Sequence, residues 1–358
     1  MKILTRYIVK AVAAPLLGGI ITFTCVLLGV QMLNLMRAAE KLHLSLSFTL
    51  ELLALTIPQN LTIGASISVL LGILLGLGNL TGHSETIAMR AGGLSYKRIA
   101  IPIIVIGLLV SVFGVLLNEY VVPVSLQAYE QLRTTALTKE ASGTIYQFYK
   151  TFQDNDIRKL IYADAYEPKD KELKNVLIQE MKEGKLTRTI SAEAMYWNGE
   201  GWYFTKAQIY QYTTNSLFPI TVDKGRVHYE LSITPKEIEQ TNVEPESQSI
   251  SDLKHYIDKF TTGIERQRLL VELNNKLAIP FASLVFAILG TPLALRPQRR
   301  SKAAGFGLCI IYILIWYVLM GIGDYFARTG SVPVFLGAWL PNIALAGYGV
   351  YVFCTVKS

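Results

Sequence analysis

The sequence predicts a polytopic α-helical membrane protein: six transmembrane helices in a 3+3 arrangement, with a jelly-roll-like all-β domain inserted between the two triplets. Three observations predict it. Six apolar stretches are long enough to cross a bilayer, they fall in two groups of three, and the polar interval between the groups alternates with period two. The stretches are Ala11–Met36, Thr49–Leu80, Ala100–Val122, Leu277–Leu295, Ala303–Phe326 and Val334–Val356. Roughly 20 helical residues at ~1.5 Å rise cover a ~30 Å hydrocarbon core. The predicted division is 1–125 for the first triplet, 126–248 for the β-domain, and 249–358 for a connector helix and the second triplet.

Composition agrees with this class: 51% of residues are hydrophobic and only 17% are charged. The net charge of +7 is unevenly placed. Between Pro123 and Glu272 there are 19 Lys/Arg against 22 Asp/Glu, and the rest of the chain holds 15 against 5. The basic balance therefore belongs to segments bordering the membrane. A nucleic-acid partner would need a basic face on a soluble domain, and that domain is net acidic.

The same cations predict orientation. With the N-terminus inside, the inner segments carry Lys2, Arg6, Lys10, Arg90, Lys97, Arg98, Arg296, Arg299, Arg300, Lys302 and Lys357. The short outer loops carry Arg37, Lys41 and Arg328. By the positive-inside rule both termini are cytoplasmic and the middle domain is outside. The first apolar stretch exceeds a signal-peptide core and is expected to stay as a helix. Cys25, Cys309 and Cys354 all fall in apolar stretches, so the β-domain is expected to hold together without disulfides.

Within that domain, Lys185–Trp197 places Ile190, Ala192, Ala194 and Tyr196 on one parity and Thr189, Ser191 and Glu193 on the other, the mark of a strand with one buried face. Asn198-Gly199-Glu200-Gly201 supplies a turn into Trp202–Tyr212, and Lys182-Glu183-Gly184-Lys185 joins Val176–Met181 to the strand after it. Lys159–Tyr166 and Thr221–Leu231 are further strands, and the pattern suits a sandwich or a curled sheet. Ala192 and Ala194 on the inward parity either leave a groove for an acyl chain or let two sheets pack closely. Gln240–Ser249 is a polar linker. After it Ile250, Leu253, Ile257 and Phe260 recur at helical spacing, an amphipathic helix capped by Ser249 or Ser251 and ending near Gly263.

The first inner loop carries the strongest functional signal. In Thr81-Gly82-His83-Ser84-Glu85-Thr86-Ile87-Ala88-Met89-Arg90-Ala91-Gly92-Gly93, Ser84 is expected to cap a short helix, Glu85 to complement its dipole, and the paired glycines to end it. Two readings stand on pattern alone: a rigid knob that docks into a partner's groove, or a solvated turn that reverses the chain.

The stretch LGLGNLTGHSETIAMRAGGLSYKRI, with VELNNKLAIPFASLVFAILGTPLALRP and GAWLPN, resembles the LptF/LptG permeases of the lipopolysaccharide-export ABC transporter. The resemblance covers nearly the whole chain, including SISDLKHYIDKF before the second triplet. It implies a periplasmic β-jelly-roll, an inner-membrane location and a second permease subunit of the same family. It also implies a cytoplasmic ATPase dimer, periplasmic bridge proteins and a lipopolysaccharide-like lipid as cargo. In the family the acidic residue of the inner-loop helix meets the ATPase, which carries over to Glu85. The expected ATPase-coupling residues are then Ser84, Glu85, Met89, Arg90, Ala91 and Gly92. The expected lipid-binding residues are Arg37, Lys41, Ala192 and Ala194, the two cations facing headgroup phosphates or snorkelling to the interface.

No cofactor is implied. The chain lacks a G-x-x-x-x-G-K-[ST] phosphate loop, so ATP hydrolysis is expected on another polypeptide and the chain is read as a permease rather than an enzyme. An ion-coupled secondary transporter would show repeated helix units and ionisable residues near the midplane, which are missing or weak here. A membrane enzyme would gather its histidines, yet His43, His83, His228 and His255 are scattered. A scaffold whose β-domain binds a periplasmic partner is the remaining alternative. Glu51, Glu119 and Asp324 sit towards outer helix ends, with Lys276 placed to pair with one of them. Pro58, Pro280 and Pro292 are candidate kinks.

Overall fold

The computed structural model describes residues 2–41, 44–140, 148–154, 157–167, 170–182, 185–212, 220–224, 227–229, 235, 245–260, 263–296 and 302–356. Among these, six helices are long and apolar enough to cross a membrane. The chain divides into two compact units. A membrane unit comprises 1–129, 246–254 and 264–358, and a β unit comprises 130–245 and 255–263.

In the membrane unit α1 (Lys2–Lys41) is followed by α2 (Leu46–Leu55) and α3 (Ile57–Gly82). The expected single stretch Thr49–Leu80 is thus broken at Thr56, because Pro58 has no N–H to continue the ladder and sits in the first turn of α3. After α4 (Glu85–Ala91), α5 (Tyr96–Leu116) opens into a π turn at Leu117–Val121 and continues as α6 (Val122–Glu140). The helical rod therefore runs well past the predicted end at Val122. In the second triplet α8 (Gly263–Leu295), α9 (Lys302–Arg328) and α10 (Val334–Val356) follow the connector α7 (Ile250–Phe260). Segment 297–301, most of the cationic loop between the fourth and fifth spans, lies outside the described residues.

Small residues bring these helices close. A Cβ on Gly64 would lie 2.7 Å from the Thr24 hydroxyl, and one on Gly72 2.9 Å from Leu16 Cβ, so α1 and α3 meet backbone to backbone. Along α5, Gly107 lies against Ala287, Ser111 Oγ accepts from Leu284 N–H at 3.2 Å, and Gly114 lies on Pro280. Such seams suit a bilayer, where close van der Waals contact and interhelical hydrogen bonds replace the hydrophobic effect as glue. Ser283 donates to Ser66 at 3.1 Å, tying α8 to α3. Asn342 accepts from Trp316 Nε1–H at 3.0 Å and donates to the Ala278 carbonyl at 2.7 Å, clamping α9, α10 and α8 together. Val69, Leu70, Ile73, Leu77, Ile99, Ile103 and Phe286 fill the centre of the bundle.

The β unit is one antiparallel sheet of β1 (Phe148–Asp154), β2 (Ile157–Glu167), β3 (Glu172–Lys182), β4 (Lys185–Trp197), β5 (Trp202–Gln211), β6 (Ile220–Lys224) and β7 (Val227–Tyr229). Strands β1 to β6 follow in chain order. Strand β7 pairs the other end of β5 in the same register, Ala207 opposite Lys224 and Phe204 opposite Val227. The predicted Asn198 turn is closed by Asn198 Oδ1, which accepts from the N–H groups of Glu200 and Gly201 at 3.0 Å, with Gly199 at φ +105°. Its counterpart at 183–184 lies outside the described residues.

The expected alternation along β4 does not run through the strand. Ile190 and Ala192 are buried and Glu193 is exposed, but Met195 rather than Ala194 is buried next. The same slip occurs at Asp164 in β2, Asn175 in β3 and Lys206 in β5, which are neighbours across the sheet. Asn175 and Lys206 adopt φ near +51°, a left-handed conformation inside extended strands. Asn175 donates to Asp164 at 2.9 Å, and Lys206 pairs with Glu193 at 2.6 Å. One polar row thus crosses four strands and reverses the inward parity on its far side. Both halves feed one apolar cluster, Ile161, Val176, Ile178 and Ile190 from one side and Tyr166, Met195, Trp202 and Phe204 from the other. The sheet curls on itself about this row.

Candidate functional site

Helix α4 is held from three sides. Tyr7 on α1 donates to Glu85 Oε2 at 2.7 Å. Thr86, 3% exposed, donates to Thr81 on α3 at 3.2 Å. The Arg90 guanidinium lies 4.4 Å from the ring centroid of Tyr96, the first residue of α5, a contact worth about 0.5–1 kcal/mol at an exposed site. Tyr96 in turn donates to the carbonyl of Leu295, the last residue of α8, at 3.3 Å.

The helix start differs from expectation. Ser84 makes no side-chain capping bond; it stands at φ 61°, ψ 10°, outside the extended conformation that an N-cap needs, while its carbonyl accepts from Ala88 N–H at 3.0 Å. The end is as predicted. Gly93 takes φ +87°, Leu94 N–H reaches the Met89 carbonyl, and α4 closes with the left-handed glycine cap. Thr86 and Met89 face the bundle, whereas Ser84, Ile87, Ala88 and Ala91 form the open face, with Ile87 49% exposed. The sequence reading missed Ile87 and Ala88, although the i, i+3, i+4, i+7 spacing from Ser84 identifies that face. It also missed Tyr7, which lies 78 positions away from its partner.

Beside α4, a cavity of about 910 Å³ lies among the facing ends of α1, α3 and α9, lined in part by Tyr7, Lys10, Asn79, His83, Glu85 and Phe306.

The opposite end of the bundle is polar. Arg328 on α9 pairs with Glu272 on α8, and Asn275 on α8 donates to Asp324 on α9 at 2.9 Å. Lys276 donates to the Gln248 carbonyl at 2.8 Å. Glu119, in the π turn, accepts from the Ile250 N–H at 2.9 Å and from the Ser251 hydroxyl at 2.6 Å. Ser249 is the N-cap of α7, accepting from Asp252 N–H at 3.0 Å.

Of the expected lipid contacts, Arg37 is exposed in the last turns of α1, and the Lys41 side chain lies outside the described residues. Ala192 is buried on the inner face of the β unit, and Ala194 lies beyond the parity slip, half-buried.

Six described helices long and apolar enough to cross a membrane and an inserted curled sheet, with a short tethered helix between two of the spans, define a polytopic membrane protein. The family described as lipopolysaccharide export system permease LptF/LptG matches residues 6–354. The chain belongs to that family. It is similar to the lipopolysaccharide export system permease protein LptG of Haemophilus influenzae, 24% identical over 346 residues and covering 95% of each chain. It is also similar to LptG of Escherichia coli K12, 22% identical over 293 residues, or 80% of each.

Proposed function

We propose that this chain is the membrane subunit through which an ATP-driven exporter draws lipopolysaccharide, or a similar anionic amphiphilic glycolipid, out of the inner membrane and hands it to a periplasmic bridge. Family membership supports the permease role, and the tethering of α4 to α1, α3 and α5 is the observation that carries the mechanism. A partner that pushes on the open face of Ser84, Ile87, Ala88 and Ala91 moves three spans together, because Glu85, Thr86 and Arg90 each grip a different helix. In this reading α4 and both termini are cytoplasmic and the β unit is periplasmic, in keeping with the eleven inner cations against three outer ones. The ATPase sits on a separate dimer, and a second permease subunit completes the lipid path.

Arg37 and Lys41 then offer cations to headgroup phosphates at the periplasmic end of α1. The inner face at Ala192 is the apolar wall along which acyl chains pass.

The test is association and transport with the complete complex in lipid nanodiscs. Ile87→Asp places a charge on the docking face and Glu85→Ala removes the tethered carboxylate. Both are expected to reduce ATPase capture and ATP-dependent lipid release while the purified chain keeps its thermal stability. Wild-type ATPase capture by both variants would overturn the docking role. Release of lipid by the wild type without any ATPase would overturn the exporter reading in favour of an ion-coupled carrier.

A further inference from the structure

We propose that Glu119 is the positioning residue that passes movement of α5 into the connector α7, and so towards the β unit. The inference rests on the exporter reading above and adds the route by which force reaches the other end of the bundle.

Helix α5 and its continuation form one rod. Its first residue, Tyr96, carries Arg90 of α4 on its ring, so displacement of α4 is felt at the start of that rod. Over the length of the bundle the rod is joined to α8. Tyr96 bonds the Leu295 carbonyl, Gly107 lies against Ala287, Ser111 accepts from Leu284 N–H, and Gly114 lies on Pro280. Two hydrogen bonds and two close small-residue contacts thus join the helices along the seam.

At the far end the rod widens into the π turn Leu117–Val121, a geometry that recurs at functional sites. Two adjacent residues of that turn take different partners. Asn118 donates to the Lys276 carbonyl of α8 at 2.8 Å. Glu119 receives both the first backbone N–H of α7 and the hydroxyl of Ser251. A carboxylate at a helix N-terminus is stabilised by the unpaired N–H groups and the helix dipole, and hydrogen bonds to a charged acceptor are the stronger kind. The grip is therefore directional and short. Lys254 is the last residue of α7 in the membrane unit, and the chain from His255 to Gly263 belongs to the β unit. Whatever moves Glu119 moves the start of a helix whose far half is part of the lipid-receiving domain.

The experiment uses the complete transporter in nanodiscs containing lipopolysaccharide, with three readouts: ATP hydrolysis, lipid crosslinked to a photoreactive residue at Ala194, and hydrogen exchange of the α7 amides with and without ATP. In the wild type, exchange at 250–260 is expected to change on adding ATP. Glu119→Ala is expected to abolish that change and to lower lipid delivered per ATP by about tenfold, within the usual range of coupling between sites, with ATP hydrolysis within about twofold of wild type. Ser251→Ala keeps the backbone bond and is expected to lose about half an order of magnitude or less.

Glu119 is overturned as a transmitter if Glu119→Ala keeps the ATP-dependent exchange change and the wild-type lipid-to-ATP ratio. A loss of hydrolysis in proportion to lipid delivery, with a lowered melting temperature, also overturns it, since that is the signature of a residue that only holds the fold. A wild type that shows the exchange change but delivers no lipid would instead refute the exporter reading and leave the coupling route standing.

Discussion

Tyr229 donates a 2.7 Å hydrogen bond to Glu180, and the two are buried side by side although they belong to opposite ends of the sheet. Tyr229 pairs with Trp202, Trp202 with Trp197, and Trp197 N–H bonds the Lys171 carbonyl. On a flat sheet Glu180 would be roughly 30 Å further along β3, at ~3.3 Å per residue. Only a sheet folded over its polar row can bring them together. Lys159, opposite Glu180 in the register, lies 5.5 Å from the Tyr229 ring, and Arg188 approaches the carboxylate at 3.8 Å.

Tyr229→Phe should therefore loosen the curl. It leaves a buried carboxylate short of a donor, a loss of about 1–3 kcal/mol. Faster hydrogen exchange in β3 and β7 than in the wild type is the expected reading. Lys206→Ala, which removes an exposed ion pair, should leave those rates unchanged.

Tyr7→Phe keeps Glu85 but frees it. ATPase association should fall, and by less than in Glu85→Ala, as measured by titrating the ATPase onto each variant in nanodiscs. Equal losses in the two variants would mean that the carboxylate acts only through Tyr7.

Gly107→Ala should force α5 and α8 apart, since the new methyl would sit 2.5 Å from Ala287 Cβ. Overpacking of this kind costs about 1–3 kcal/mol. Gly18→Ala, with nothing within 4 Å, should be neutral or slightly stabilising, because alanine is the better helix former. Thermal unfolding of the two variants in one detergent compares them directly.

Two exposed lysines of the β unit should hold their protons past the ordinary range. The Glu193 carboxylate hydrogen-bonded to Lys206 holds that ammonium above the ordinary lysine value of 10.5, and Glu167 does the same for Lys174. A raised lysine pKa stabilises the folded form fully below the unfolded value, and the contribution is lost as pH rises through the folded one. Both pairs are exposed and screened by solvent, so strand protection should change little. The Lys206 ammonium should titrate above 10.5, and Glu193→Gln should bring that titration back towards 10.5, as followed by NMR of its side-chain methylene.

Much of the architecture was legible because the bilayer imposes it: spans need length and apolarity, and both are written in local composition. Ser249 and the Asn198 turn were legible for a similar reason, since their partners lie within three residues. The parity slip at Glu193 was not. It depends on Asn175 and Lys206 adopting left-handed backbone, and neither is a glycine that would have flagged the position. Nor was the capping of α4, where Ser84 has the right chemistry but its backbone is turned the wrong way. Tyr7, Arg90 on Tyr96, and Glu119 on α7 are pairings between distant segments, which periodicity cannot report.

Pro280 leaves the Lys276 carbonyl without its ordinary helical donor, and Asn118 supplies one from another span. The two positions thus share a single debt across the chain. Any relative that regained an amide hydrogen at the first site would be released from keeping a carboxamide at the second, so the pair is expected to drift through evolution in step.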